Sequence, residues 1–136
     1  MSDAPEAGAF EAIFRALDAS SRPVLGPARP RLLVIAIHDE AGAVAGGFWG
    51  YTLFQWLHVQ MLVVPETQRG QGVGSALMAA AEAEARRRDC RGAVVDAYDF
   101  QAAPFYLKIG YATFGVLHDY PPGHDRLYFC KRLDGA

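Results

Sequence analysis

The residues best suited to chemistry are Arg69-Gly70-Gln71-Gly72-Val73-Gly74-Ser75, a run with three glycines in five positions. Glycines this close together let a chain turn tightly and leave successive N–H groups uncovered. A helix that starts at the same point adds the partial positive charge of its dipole, and together these make a phosphate cradle. Spacing separates this cradle from two common ones. A nucleoside-triphosphate loop needs Lys followed by Ser or Thr after its last glycine, whereas Gly74 is followed by Ser75-Ala76. A dinucleotide fingerprint needs a further glycine three positions on, where Leu77 stands. A Gly-rich turn with no ligand fits the same residues, so the run alone leaves both readings open.

Such a cradle needs a strand before it and a helix after it. The stretch from about Trp56 to Val64 reads as a strand, broken by Pro65-Glu66-Thr67-Gln68. A helix then runs to about Arg88, with Val73, Ala76, Leu77 and Ala80 on its buried stripe, and a buried strand follows from Gly92 to Tyr98. A strand-helix-strand crossover favours parallel pairing of the strands it joins. Upstream, Phe10, Ile13, Phe14 and Leu17 recur at helical spacing, predicting an amphipathic helix from about Ala4 to Ala19 that ends before Pro23. Pro23, Pro27 and Pro30 mark an irregular connection. Strands are expected at Arg31 to His38 and Ala43 to about Thr52, joined by the turn Asp39-Glu40-Ala41-Gly42. Downstream come a short helix at about Ala102 to Ile109, a strand at about Ala112 to Leu117, a Pro-Gly loop and a last strand at about Arg126 to Leu133. The chain thus reads as α/β (α+β), one unit with a mixed sheet.

At 136 residues the chain supports one hydrophobic core rather than two domains. With 51% hydrophobic and 21% charged residues it has the composition of an ordered domain. A net charge of -2, with Arg86 to Arg88 as the only dense basic run, argues against a nucleic-acid partner; that run suits a solvated helix end. Two cysteines and four histidines lack disulfide or metal-site spacing, which points to no metal and a reduced, cytoplasmic setting. Met1 to Gly8 carries Asp3 and Glu6 rather than a basic leader, so no signal peptide is expected. Ala43 to Val64 is long enough to span a bilayer, but its glycines, Gln55, His58 and Gln60 suit paired strands instead, so no membrane partner is expected.

The Arg-x-x-Gly-x-Gly run of Arg69, Gly72 and Gly74, between a Val63-Val64-Pro65-Glu66 strand end and a helix, resembles the acyl-CoA signature of GNAT superfamily N-acetyltransferases. A second segment, Phe105-Tyr106-Leu107-Lys108-Ile109-Gly110-Tyr111, is similar to the family's Phe-Tyr-x-Lys-x-Gly-Phe segment. The resemblance covers about Arg31 to Leu133 and implies a mostly antiparallel central sheet flanked by helices, with acetyl-CoA as cofactor. It implies that Leu62, Val63 and Val64 offer backbone groups to the pantetheine arm and the thioester carbonyl. It also implies that the amides of Arg69 to Ser75 hold the pyrophosphate, and that Tyr106 acts as general acid toward the departing thiolate. A phenol of ordinary pKa about 10 keeps a proton to give at neutral pH.

The sequence also departs from the family pattern. Many members carry a glutamate as general base on the strand before the glycine loop, and here Val59 and Gln60 occupy the nearest positions. Deprotonation of the amine is left to water held by His58, Asp96, His118 or His124. Gln101 takes the place of a family asparagine toward the pantetheine. The loop His118 to Asp125, with His118, Asp119 and Tyr120, offers aromatic and polar contacts to a cationic amine. Trp49, Tyr51, Phe54 and Trp56 are candidates for the opposite wall. The expected activity is direct acetyl transfer to a primary amine of a small molecule or peptide. Neither cysteine lies in the motifs, so no covalent intermediate is implied. The alternatives are a non-catalytic acyl-CoA-binding regulatory module, favoured by the missing glutamate, and apolar strands that serve a homodimer interface.

Overall fold

Strand-forming runs assemble into one six-stranded sheet in the computed structural model, which describes residues 1–135. The elements are α1 (Ala9–Leu25), β1 (Arg31–His38), β2 (Val44–Leu53), β3 (Trp56–Val63), a short 3-10 turn (Glu66–Gln68), α2 (Val73–Arg87), β4 (Gly92–Tyr98), α3 (Ala103–Lys108), β5 (Ala112–His118) and β6 (Asp125–Arg132). The order across the sheet is β1-β2-β3-β4-β6-β5. Every neighbouring pair is antiparallel except β3 with β4. That pair is the one α2 connects, as a crossover requires. The stretch weighed as a bilayer span forms β2 and β3, and no helix is long and apolar enough to cross a membrane among the described residues.

One face of the sheet carries the core. Phe48, Leu57 and Phe129 are at most 1% exposed and meet Met78, Ala81 and Ala85 of α2. The buried stripe of α2 is rotated from the one expected: Leu77, Met78, Ala81 and Ala85 are buried, whereas Ala76 and Ala80 are exposed and Val73 is half-buried. In an alanine-rich helix many faces look alike, and the large Leu77 and Met78 decide which one turns inward. Glu82 lies on that buried face because Tyr111 Oη and Lys131 Nζ donate to its carboxylate at 2.9 and 2.8 Å. Arg86 to Arg88 do more than solvate the helix end. Arg88 donates to the carbonyls of Arg31 and Leu32 and to Thr52 Oγ1, and Arg86 donates to the Leu133 carbonyl.

The first helix differs most from expectation. It starts at Ala9, after Gly8 turns the chain at φ 81, and continues through Pro23 to Leu25. A proline removes one hydrogen bond and crowds the preceding turn. Here it stands in the last turn, where Asp18 pairs with Arg22 and the Gly26 amide donates to the Arg22 carbonyl at 2.8 Å. No residue of α1 belongs to the hydrophobic core.

Candidate active site

The site begins where β3 and β4 part. They pair only from Trp56 with Gly92 to Val59 with Val95. Immediately beyond, the β2–β3 register slips, so that Trp49 faces Met61 while Gly50 faces Val59, leaving Gln60 as an extra residue. A bulge of this kind bends a strand. The edge of β3 past Val59 therefore has no ladder partner on the β4 side. A wedge of about 410 Å³ opens there, bordered by Gln60, Leu62, Asp96, Gln101, Tyr106 and Arg126. Gln101 accepts a hydrogen bond from the Tyr98 amide through Oε1 at 3.2 Å, which leaves its NH2 group free to donate.

At the far end of the wedge stands the glycine loop. Gly70 and Gly72 both have φ 77, with open space where a Cβ would sit, so the backbone bend and not crowding demands glycine there. Gly74 is different, since a Cβ on it would meet Phe105 Cε1 at 3.3 Å, and its absence lets α2 sit close to α3. Among the described residues the N–H groups of Gly70 through Ser75 have no acceptor, and the Ala76 amide is the first to bond, to the Gly72 carbonyl. The expected cradle is corrected at one position: the Arg69 amide is spent on the Glu66 carbonyl at 3.3 Å, because the 3-10 turn closes there. The Arg69 side chain instead donates from Nε to the Val64 carbonyl at 3.2 Å and anchors the loop to the strand end. A hollow of about 420 Å³ holds this loop with Val64, Phe105 and Lys108, and it shares Leu62 and Ala102 with the wedge. Unpaired amides at a helix N-terminus beside a lysine fit a diphosphate, and the open β3 edge fits an amide-bearing arm.

Tyr106 projects from α3 into the wedge. Its ring is 5% exposed and packs edge-on to Phe105 and Tyr111, with Phe129 5.6 Å away. Its hydroxyl makes no hydrogen bond among the described residues. Burial, aided by the negative charge of Asp96, pushes its pKa up to about 12. The phenol is therefore fully protonated at neutral pH, with a proton to give and no partner to hold it.

Sequence and structure comparisons agree with this arrangement. The Acetyltransferase (GNAT) family model matches residues 5–111. The chain belongs to the GNAT acetyltransferase family. A blasticidin-S acetyltransferase from Streptomyces morookaense is 46% identical over 121 residues, covering 87% of this chain and 88% of that one. The crystal structure of an acetyltransferase from Agrobacterium tumefaciens superposes with TM-score 0.88 at 38% identity, covering 97% and 96% of the two chains. Another, from Bacillus cereus, gives 0.80 at 31% identity over the same shares. This GNAT protein is thus an acetyltransferase and its cofactor is acetyl-CoA.

On the other side of the sheet from α2, the GNAT wedge communicates with a second hollow of about 370 Å³ lined by Tyr51, His58, Gln60 and Asp96. Tyr51 and His58 stack in parallel at 4.6 Å. Burial lowers the His58 pKa below its ordinary 6.5, so the imidazole is neutral at pH 7. Asp96 is committed elsewhere, because Arg126 Nε and a second guanidinium nitrogen reach it at 2.7 and 2.6 Å. Phe54 and Trp56 border a separate apolar cavity of about 500 Å³ with His58, Phe114 and Cys130, while Trp49 lies further along the sheet. The structure does not bring His118 or His124 to the wedge. His118 pairs with Asp125 at 2.9 Å and His124 with Asp99 at 3.0 Å, and both pairs brace the β5–β6 turn. Tyr120 stands beside the wedge, its ring 5.5 Å from the Arg126 guanidinium and 6.3 Å from the ring of Tyr98, over which that guanidinium lies at 4.2 Å. Sequence reasoning missed Arg126 and Lys108 as site residues. Lys108 stood inside the second motif, where its position one turn from Phe105 was the signal. Nothing local pointed to Arg126, whose partner Asp96 is 30 residues away.

Proposed function

We propose that this acetyltransferase moves an acetyl group directly to a primary amine of a small molecule, with Tyr106 as general acid. The observation that carries this reading is the unpartnered, fully protonated Tyr106 hydroxyl in a wedge that ends at six free amides, those of Gly70 to Ser75. When bound, acetyl-CoA supplies an activated acyl carbon and a thiolate leaving group. The amides of Gly70 to Ser75 and the Lys108 ammonium bind its diphosphate. The unpaired β3 edge at Leu62, Val63 and Val64, with the Gln101 amide opposite, orients its arm. As the new C–N bond forms and the C–S bond breaks, Tyr106 Oη yields its proton to sulfur and is later reprotonated from solvent. The proton lost by the amine goes to water held between Gln60 and neutral His58. Those two side chains border the hollow beside Val59, on the strand where the family resemblance implies a glutamate.

The 46% identity to a blasticidin-S acetyltransferase supports a small, amine-bearing antibiotic as the acceptor class. The test is thiol release from acetyl-CoA across an amine panel that includes blasticidin S and short peptides. A small amine should accelerate release, and Tyr106→Phe should cut kcat by about 10²- to 10⁴-fold while leaving the KM for acetyl-CoA in place. An unchanged kcat in Tyr106→Phe would remove the general-acid role, and acceleration by peptides alone would overturn the small-molecule assignment.

A further inference from the structure

Two apolar surfaces of this chain lie open. One is the α1 stripe: Phe10, Ile13 and Leu17 are 75%, 71% and 64% exposed, and Phe10 stacks on Phe14 at 6.1 Å. The other is the sheet face turned away from α2. There Leu32, Val34, Met61 and Val63 are between 47% and 59% exposed, around a trough of about 300 Å³ that includes Trp49. Helices of globular proteins bury such stripes, and contiguous apolar patches of this extent mark interaction sites.

The two surfaces are held apart within one chain. Asp18, only 8% exposed, pairs with Arg22 and accepts a hydrogen bond from the Ala28 amide at 2.6 Å, clamping the last turns of α1 to the link that follows. Pro27 and Pro30 stiffen that link. It spans only residues 26–30 and leads into β1, the edge strand of the sheet. Five residues reach at most about 18 Å, enough to carry a helix across a sheet edge onto a neighbour.

We propose that two copies exchange these arms, each laying its α1 stripe on the open β1–β3 face of the other. A two-fold axis makes the exchange reciprocal and closed. An exposed aromatic side chain contributes on the order of 150 Å² and the aliphatic ones somewhat less. One helix-on-sheet contact therefore removes roughly 1,000 Å² of apolar surface, and two such contacts reach the roughly 1,200–2,000 Å² typical of stable interfaces. A second copy supplies both missing surfaces at once, which an unrelated partner would have to provide separately.

Analytical ultracentrifugation of the full chain tests this. Wild type should sediment as a dimer of 14.8 kDa chains. Phe10→Asp with Leu17→Asp, changes confined to exposed positions, should give a monomer with unchanged circular dichroism. Val34→Asp should do the same from the sheet side. An equimolar mixture of the two variants should associate more tightly than either variant alone, because at one of the two contacts the intact helix of one meets the intact sheet of the other. A monomeric wild type overturns the proposal, whatever else the stripe binds. A dimer that survives the helix substitutions, as pairing of β1 edges would produce, or a mixture that associates no more tightly than either variant alone, overturns it equally.

Discussion

On the α2 side of the sheet Phe129 and Leu57 are fully buried, whereas on the opposite side Phe114, Leu32 and Met61 stand more than half exposed. The α2 side is finished within one chain. Helices α2 and α3 cover it, the glycine loop is fixed by backbone conformation, and Tyr106 is wedged among three aromatic rings. The opposite side is held by side chains that reach across the sheet, such as the Asp96–Arg126 pair and the Tyr51–His58 stack. Under the proposed function, a rigid half would hold the cofactor and an open half would take the acceptor, which lets acceptors vary without rebuilding the core.

This contrast predicts unequal costs for two similar truncations. Phe129→Ala should lose about 3–5 kcal/mol of unfolding free energy, because it leaves a cavity under α2. Phe114→Ala, 60% exposed at the other face, should change stability by no more than about 0.5 kcal/mol. Urea denaturation of both variants measures the difference. Comparable losses would mean that the open face is covered in solution near β5.

A smaller effect should separate the two faces by pH. The phenol of Tyr106 titrates only near 12, so the acid limb of activity falls to the open face. In the proposed mechanism His58 must be neutral for the water it holds to take up a proton, and burial sets its folded-state pKa below 6.5. Activity should therefore hold as pH falls to the ordinary imidazole range and be lost only below it. In His58→Asn, kcat/KM at neutral pH should drop about tenfold to a hundredfold and the acid limb should disappear. A limb that persists unchanged in His58→Asn would assign the proton acceptor elsewhere.

The same contrast explains what was legible in the sequence. The glycine turn from Gly70 to Gly74, the start of α2 and the short helix that carries Tyr106 could be read because backbone turns and helix starts depend on neighbours in the chain. The strand boundaries came out within a residue or two for the same reason, since glycine and proline punctuate them. The buried stripe of α2 was misjudged by one position because alanines give no directional signal, and only packing on Phe48 and Phe129 selects the face. Arg126 and the diversion of His118 and His124 to Asp125 and Asp99 depend on pairs joined by folding, and no local pattern encodes them. The run of α1 through Pro23 rests on Asp18 bonding to Ala28, ten residues on, which spacing within the helix does not announce.

The central claim is that uncovered amides at the start of α2 clasp a diphosphate, and titration calorimetry tests it most directly. Coenzyme A should bind wild type at least tenfold tighter than pantetheine, which lacks the diphosphate, and Gly72→Ala should erase most of that difference by disturbing the turn at φ 77. Equal affinities for the two ligands, or an advantage for coenzyme A that survives Gly72→Ala intact, would contradict it.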